Sequence, residues 1–219
     1  MPRTARASVG GMWYHVLNRG NRREAVFHKP GDYDAFIEAM IDARAHVSVD
    51  VLGYCLMPNH FHLVIRPHED GDLGRWMQWL LTTHARRYHR HYGTTGHVWQ
   101  GRFKAFPVQD DDHLVTVLRY VERNALRAEL VSRSEDWKWS SLPGWLSGDR
   151  LLWREVAVRD KRWLERVNEP LSVADLQRLR HSISRGRPYG DEEWTRQTAI
   201  RLGLDSCLRP RRRPRNEKS

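Results

Sequence analysis

The sequence predicts an α+β fold: an antiparallel sheet flanked by helices, followed by a small helical C-terminal extension and a basic tail. Three observations support this prediction. Segments rich in β-forming residues alternate with amphipathic helical segments over residues 1–130. A two-residue turn, Pro58-Asn59, joins two of the β-rich segments. The alternation stops near residue 133, where Trp and Ser become frequent.

The first elements follow from their periodicity. Residues 12–20 (MWYHVLNRG) alternate and are rich in β-forming side chains, so they predict a strand. Residues 31–47 have apolar side chains at helical spacing and predict a helix, with Asp32 as its N-cap. Residues 49–57 and 60–66 predict two strands, which the two-residue turn makes an antiparallel hairpin.

The next elements complete the sheet. Residues 72–92 predict a long helix that becomes basic toward its end. Residues 102–108 predict a fourth strand, in which Pro107 suits the edge of a sheet. Residues 111–130 predict a further helix that begins at one of two aspartates. The order strand, helix, strand, strand, helix, strand is the split βαβ, or ferredoxin-like, pattern.

The chain divides into three parts. Residues 1–132 would form the sheet domain, and residues 133–208 a Trp-rich extension with helices over 171–183 and 191–204. Residues 209–219 are a basic tail, with six basic side chains and one acidic side chain. This tail holds half of the net charge, and such a block can bind phosphates.

The charge of the chain indicates its partners. The 219 residues carry a formal net charge of +10 and a pI near 10.1. Such a basic surface attracts polyanions, with nucleic acid the first candidate and an anionic membrane the second. At 40% hydrophobic and 29% charged residues, the composition is that of a globular protein. We expect no membrane span and no signal peptide, and two distant cysteines fit a reducing cytoplasm.

Two histidines stand out in the third predicted strand, within MPNHFHLVIRP. Residues two apart on a strand point to the same face, so His60 and His62 project together while Phe61 projects to the other face. Two imidazoles at this spacing can hold a metal ion. An ordinary pair of hydrogen-bonded strand histidines would give the same motif, and for an isolated motif it is the commoner explanation.

The predicted helix over residues 111–130 offers side chains that would complete such a site. Tyr120 and Asn124 lie one turn apart at the edge of its apolar face, on the border with solvent, and Arg127 lies beside them. A phenol can attack phosphorus when a metal ion polarises the phosphate. An amphipathic boundary tyrosine followed by a surface amide would explain the same pattern. No other tyrosine combines a helix with an asparagine one turn later.

Three motifs in this order, PNHFHLVI, WQGRFKAFPV and RYVERNALRAELV, resemble the single-tyrosine HUH (IS200-like) transposases, and among them the bacterial REP-associated tyrosine transposases. In this family the histidine motif precedes a nucleophilic tyrosine in a segment similar to YIxxNPVRAGLV. The match places Tyr120, Asn124 and Arg127 at the family's Tyr, Asn and Arg. Ala125 and Glu129 replace a common Pro and a common Gly, and both changes suit a longer helix.

The resemblance implies a metal-dependent single-stranded DNA endonuclease and strand-transferase, with residues 1–132 as its catalytic domain. Tyr120 would attack a palindromic, REP-like hairpin and leave a 5′-phosphotyrosine. His60, His62 and Asn124 would hold one Mg²⁺ or Mn²⁺ ion, whereas Zn²⁺ would prefer a closed tetrahedral set. The protein would be a monomer, with a dimer left open, and would be cytoplasmic and associated with the nucleoid.

DNA binding would fall to exposed basic side chains. We expect contacts from Arg19, Arg22, Arg23, Arg86, Arg87, Arg102, Lys104, Arg127, Arg211, Arg212 and Arg213. Trp99 is a candidate to stack on an unpaired base, although a place in the core or a passive place on the surface is the commoner explanation for any single tryptophan. The chain has no GxxxxGK motif, so we expect no nucleotide cofactor.

Two alternatives stay open at this point. A non-catalytic nucleic-acid-binding or regulatory protein could retain the fold, although it would not need intact His60, His62 and Tyr120. A metallohydrolase could use the histidine pair, but the motif lacks a clear carboxylate partner nearby.

Overall fold

The computed structural model describes residues 8–148, 151–153 and 158–209. Four strands form one antiparallel sheet in the spatial order β2-β3-β1-β4. They are β1 (Trp13–Arg19), β2 (Val49–Met57), β3 (His60–Pro67) and β4 (Lys104–Val108). Two helices, α1 (Pro30–His46) and α2 (Asp72–Tyr92), cover one face of the sheet. α3 (Asp112–Glu122) covers the other face, which confirms the predicted α+β fold.

The start of α1 differs from the prediction in one respect. Lys29 is the N-cap, and Asp32 is the third residue of the helix rather than its cap. The Asp32 carboxylate accepts hydrogen bonds from the backbone N–H groups of His28 (2.8 Å) and Lys29 (3.1 Å). The carboxylate therefore still satisfies N–H groups that a helix start leaves free, but it does so from inside the first turn.

β4 lies at the edge of the sheet, as Pro107 predicts. The outer side of this strand is partly covered by the C-terminal extension. The backbone N–H of Tyr189 donates to the carbonyl oxygen of Pro107 (2.9 Å), and the N–H of Gln109 donates to the carbonyl oxygen of Tyr189 (2.9 Å). The extension thus pairs with backbone groups that an edge strand would otherwise expose.

The helix predicted over residues 111–130 is in fact two helices. α3 has Asp111 as its N-cap and ends at Glu122, and α4 (Asn124–Arg127) follows after a break at Arg123. The four residues of α4 carry two of the predicted site residues. The break decides where Asn124 and Arg127 lie relative to Tyr120.

α4 ends in a Schellman motif. The N–H of Leu130 donates to the carbonyl oxygen of Ala125 (3.1 Å), and the N–H of Glu129 donates to that of Leu126 (3.0 Å). Glu129 has φ 58°, in the left-handed region that favours glycine. The expectation that Ala125 and Glu129 suit a longer helix is therefore wrong. The helix ends at Arg127, and Glu129 adopts the left-handed conformation that turns the chain, although it is not a glycine.

The described part of the extension contains four further α-helices. They are α5 (Ser141–Ser147), α6 (Trp163–Asn168), α7 (Val173–Arg185) and α8 (Glu192–Arg201). The last two confirm the helices predicted over 171–183 and 191–204. Trp163, Val167 and Leu179 are buried in the same core as α3. The division of the chain at residue 132 stays a prediction, and Arg211, Arg212 and Arg213 lie outside the described residues.

A buried ion pair ties α3 to the extension. The Glu122 carboxylate is fully buried and accepts hydrogen bonds from Arg159 Nη2 (2.5 Å), Ser141 Oγ (2.6 Å) and Trp163 Nε1 (2.7 Å). The same Arg159 nitrogen donates to the carbonyl oxygen of Leu52 in β2 (2.7 Å). These bonds fix the C-terminal end of α3 against the sheet. Within the part of the chain described, no helix is long and apolar enough to cross a membrane.

Candidate active site

β3 presents His60 and His62 on the face of the sheet that α3 covers. Phe61 is fully buried on the opposite face, in the core beneath α1 and α2. His62 is only 4% exposed, and His60 is half-buried at the start of the strand. The two imidazoles therefore share one face, as the period of the strand predicts.

Tyr120 on α3 lies against this pair. The ring centroids of Tyr120 and His62 are 5.6 Å apart, with the rings nearly perpendicular. Tyr120 is 6% exposed and Asn124 is 1% exposed. The expectation that both lie on the border with solvent is therefore wrong. They are buried because α3 and α4 pack over the sheet.

Arg127 joins the two residues. Its Nη2 donates to Asn124 Oδ1 (2.8 Å) and lies 3.5 Å from Tyr120 Oη. The guanidinium carbon is 5.1 Å from the centre of the Tyr120 ring, which is close enough for a cation–π contact. The spacing of Tyr120, Asn124 and Arg127 along the sequence thus corresponds to a real cluster, with the exposed arginine at its outer side.

His15 on β1 is a member of the cluster that sequence reasoning missed. It is fully buried, and its Nε2 lies 2.9 Å from His62 Nδ1. Its ring centroid is 6.1 Å from that of Tyr120. The alternation of β1 could have placed His15 on one face, but only the pairing of β1 with β3 brings it to His62.

All three imidazoles are shifted toward their neutral forms. Burial lowers the pKa of His15 to about 3. Burial, followed by the charges of Arg19 and Arg127, lowers the pKa of His60 to about 4. The pKa of His62 is held well below its ordinary value by burial first, and then by His15 and His60. Neutral imidazole is the form that binds metal ions.

The hydrogen bonds of the pair suit metal binding. His60 Nδ1 is bonded to Asn59 Oδ1 (2.7 Å) and His62 Nδ1 to His15 Nε2 (2.9 Å). Each ring keeps an Nε2 atom that has no hydrogen bond to any described residue. Metal-binding histidines in proteins usually employ their second ring nitrogen in this way.

A third protein ligand has to be of another type. No three His, Cys, Asp or Glu side chains of the described residues form a group that could hold a metal ion. The Asn124 side chain is the candidate, and its oxygen, although bonded to Arg127, retains a second lone pair. Its buried Nδ2 has no hydrogen-bond partner among the described residues. Two imidazoles and one carboxamide oxygen are therefore the donors that these described residues offer to a metal ion.

Strand register places two basic side chains beside the histidines. Arg19 is the direct partner of His60 across β1 and β3. Leu17 faces both His62 on β3 and Lys104 on β4, so Lys104 lies on the same face of the sheet. Arg19 and Lys104 are both exposed. This end of the sheet is therefore positively charged where Tyr120 meets the histidine pair.

The other predicted DNA contacts are more scattered. Arg86 and Arg87 are exposed on α2, on the opposite side of the sheet, and Arg102 is exposed just before β4. Arg22 and Arg23 are exposed in the turn after β1, with φ angles of 53° and 65°. Their contacts with DNA stay predictions.

The expectation for Trp99 is wrong. This side chain is 7% exposed and lies edge-on to Phe61, with ring centroids 5.2 Å apart. A bridge between Gly20 and Trp99 holds the indole beneath the sheet. A side chain packed in this way cannot stack on a base.

Comparison with known proteins gives a consistent result. A family model described as "Transposase IS200 like" matches residues 8–124, which is more than half of the chain. A Haemophilus influenzae protein provisionally named as a REP-associated tyrosine transposase is 24% identical over 144 residues, covering 60% of this chain and 80% of that protein.

Two solved structures match parts of this chain. A REP-associated tyrosine transposase bound to a REP hairpin matches with a TM-score of 0.55 and 19% identity, over 78% of this chain and 99% of that one. A Deinococcus radiodurans protein provisionally described as a transposase matches with a TM-score of 0.40 and 16% identity, over 59% of this chain and 92% of that one.

Proposed function

Because this chain belongs to the IS200-like transposase family, we propose that it cleaves and rejoins single-stranded DNA at palindromic, REP-like hairpins through a 5′-phosphotyrosine. The observation that carries this proposal is the position of Tyr120. Its ring lies 5.6 Å from that of His62, and Arg127 lies 3.5 Å from its hydroxyl. The proposed nucleophile Tyr120 therefore lies in one cluster with the histidine pair and with the positively charged Arg127.

The proposed step conserves the number of ester bonds. The Tyr120 oxygen forms a bond to phosphorus, and the bond between phosphorus and the 3′-oxygen breaks. The proton of the tyrosine hydroxyl is transferred overall to the 3′-oxygen, which leaves as a hydroxyl. Since the phosphotyrosine is itself an ester, a 3′-hydroxyl can attack it in the reverse sense and rejoin DNA without ATP.

The side chains around Tyr120 have separate roles in this proposal. Arg127 would stabilise negative charge as it develops on the phenol oxygen and on the phosphate. His60, His62 and Asn124 would hold Mg²⁺ or Mn²⁺, which supplies polarisation of the phosphate and neutralises its charge. The buried Tyr120 ring, packed against His15 and His62, would be held in one orientation toward the phosphate.

A DNA hairpin is the partner that the remaining observations support. The chain carries a net charge of +10, and Arg19 and Lys104 flank the histidine pair. The REP-associated transposase of similar fold is bound to a REP hairpin. We propose that this chain acts in the same way on chromosomal DNA in the cytoplasm, as a monomer.

The test is formation of a covalent adduct. Purified protein is incubated with a labelled hairpin oligonucleotide and Mn²⁺ or Mg²⁺, and adducts are resolved on a denaturing gel. We expect Tyr120→Phe to abolish the adduct, whereas Tyr88→Phe, on α2 across the sheet, retains it. An adduct with Tyr120→Phe would refute the nucleophile.

Other results of the same experiment favour the alternatives. Hairpin binding that EDTA leaves unchanged, with no adduct in either metal, would indicate a non-catalytic DNA-binding protein. Cleavage without protein-linked DNA would indicate a metallohydrolase.

A further inference from the structure

His15 lies beside the proposed metal ligand His62 and packs against Tyr120. It is fully buried on the central strand β1. Its Nε2 is 2.9 Å from His62 Nδ1, and its ring lies edge-on to Phe106 with centroids 5.0 Å apart. Tyr120 closes a further side of the ring, at 6.1 Å.

We infer that His15 is a positioning residue that accepts the Nδ1 hydrogen of His62 and thereby holds His62 in the tautomer that can bind a metal ion. This inference rests on the proposed function, because it concerns the metal ligand His62. His15 itself would touch neither the metal nor the DNA.

The position of one hydrogen decides whether His62 can bind a metal ion. The Nε2 of His15 and the Nδ1 of His62 are 2.9 Å apart, a hydrogen-bond distance at which one nitrogen donates and the other accepts. If His62 donates from Nδ1, its Nε2 carries a free lone pair directed away from His15, which a metal ion can use. If His15 donates instead, the hydrogen of His62 is on Nε2, and that nitrogen cannot be a ligand. A bound metal therefore requires His15 to be the acceptor.

Packing alone does not explain an imidazole at this position. The second nitrogen of His15, Nδ1, is buried and has no hydrogen-bond partner among the described residues. A buried polar atom without a partner destabilises a fold, and an apolar side chain could contact Phe106 and Tyr120 without that penalty. The contact with His62 is the interaction that an imidazole makes and a leucine cannot.

The first experiment compares metal affinity in three variants. The dissociation constant for Mn²⁺ alone is measured from the EPR signal of the free ion. We expect His15→Leu to weaken Mn²⁺ binding about 10–100-fold, the range found when the partner of a metal-binding histidine is removed. His15→Gln should stay close to wild type, because its side-chain oxygen can accept the same hydrogen.

His84→Leu is the matched control. His84 is also buried, with an Nδ1 that has no partner among the described residues, but it belongs to α2, which covers the other face of the sheet. We expect this variant to bind Mn²⁺ like wild type. Equal affinity of His15→Leu and wild type, with both folded by circular dichroism, would overturn the inference.

The second experiment reads the tautomer directly. Nitrogen-15 NMR of the imidazoles in the presence of Mg²⁺ should show the His62 hydrogen on Nδ1 in the wild-type protein. A hydrogen on Nε2 would overturn the inference. If the wild-type protein binds neither ion, the proposed metal site fails. The tautomer measured without metal would then decide the role of His15 separately: a hydrogen on His62 Nδ1 supports it, and one on Nε2 overturns it.

Discussion

Removal of the Glu122 carboxylate should destabilise the protein strongly. The carboxylate is fully buried, and the Arg159 side chain that it neutralises is 3% exposed, so water screens neither charge. Leaving one partner of such a pair unpaired costs roughly 3–5 kcal/mol. Ser141 Oγ and Trp163 Nε1 also lose their acceptor, and each buried donor left unpaired costs about 1–3 kcal/mol. These costs overlap, so we expect Glu122→Ala to lose about 4 kcal/mol or more.

The assay is unfolding in guanidinium chloride, followed by tryptophan fluorescence at pH 7. Glu193→Ala is the control, because its pair with Arg196 is more than half exposed and should contribute less than about 1 kcal/mol. The double variant Glu122→Leu, Arg159→Met should be more stable than Glu122→Ala, since it leaves no buried charge unpaired. A loss for Glu122→Ala no larger than that for Glu193→Ala would refute this reasoning.

Two further predictions concern backbone strain and acid sensitivity. Glu129→Gly should raise the free energy of unfolding by about 1 kcal/mol in the same assay, because φ 58° is costly for a side-chain-bearing residue; a decrease would contradict this. Burial lowers the pKa of His84 to about 4 from 6.5, so the unfolded chain binds its proton more tightly. The stability from His84 is present above pH 6.5 and is lost as pH falls toward 4, by about 2 kcal/mol at pH 5. His84→Leu should therefore reduce the loss of stability between pH 7 and pH 5 by that amount, and curves parallel to wild type would show that His84 is not responsible.

Local patterns in the sequence determined most of the architecture. The bounds predicted for β2 and α2 agree with the structure, because alternation and helical spacing depend only on neighbouring residues. The common face of His60 and His62 follows from the same period. The motifs around these histidines and Tyr120 also indicated the family, which the match over residues 8–124 confirms.

The helix ends were harder to predict, because they depend on what the chain packs against. No helix-breaking residue stands at Arg123, yet the helix breaks there, and Glu129 turns the chain where a glycine would be expected. The burial of Trp99 also depends on packing between distant parts of the chain. Its place beside basic residues suggested an exposed indole, but it is buried against Phe61 in the core beneath α1 and α2.

The amino-acid sequence predicts a strand with two histidines on one face and places Tyr120, Asn124 and Arg127 at helical spacing. Which side chains contact one another depends on the tertiary structure. His15 is 47 residues from His62 along the chain, and Arg159 is 37 residues from Glu122. Contacts of this kind are set by strand register and by packing between layers, which no local period encodes. The sequence therefore predicts His60, His62 and Tyr120 as separate candidates, whereas the fold determines that they lie together and adds His15 to them.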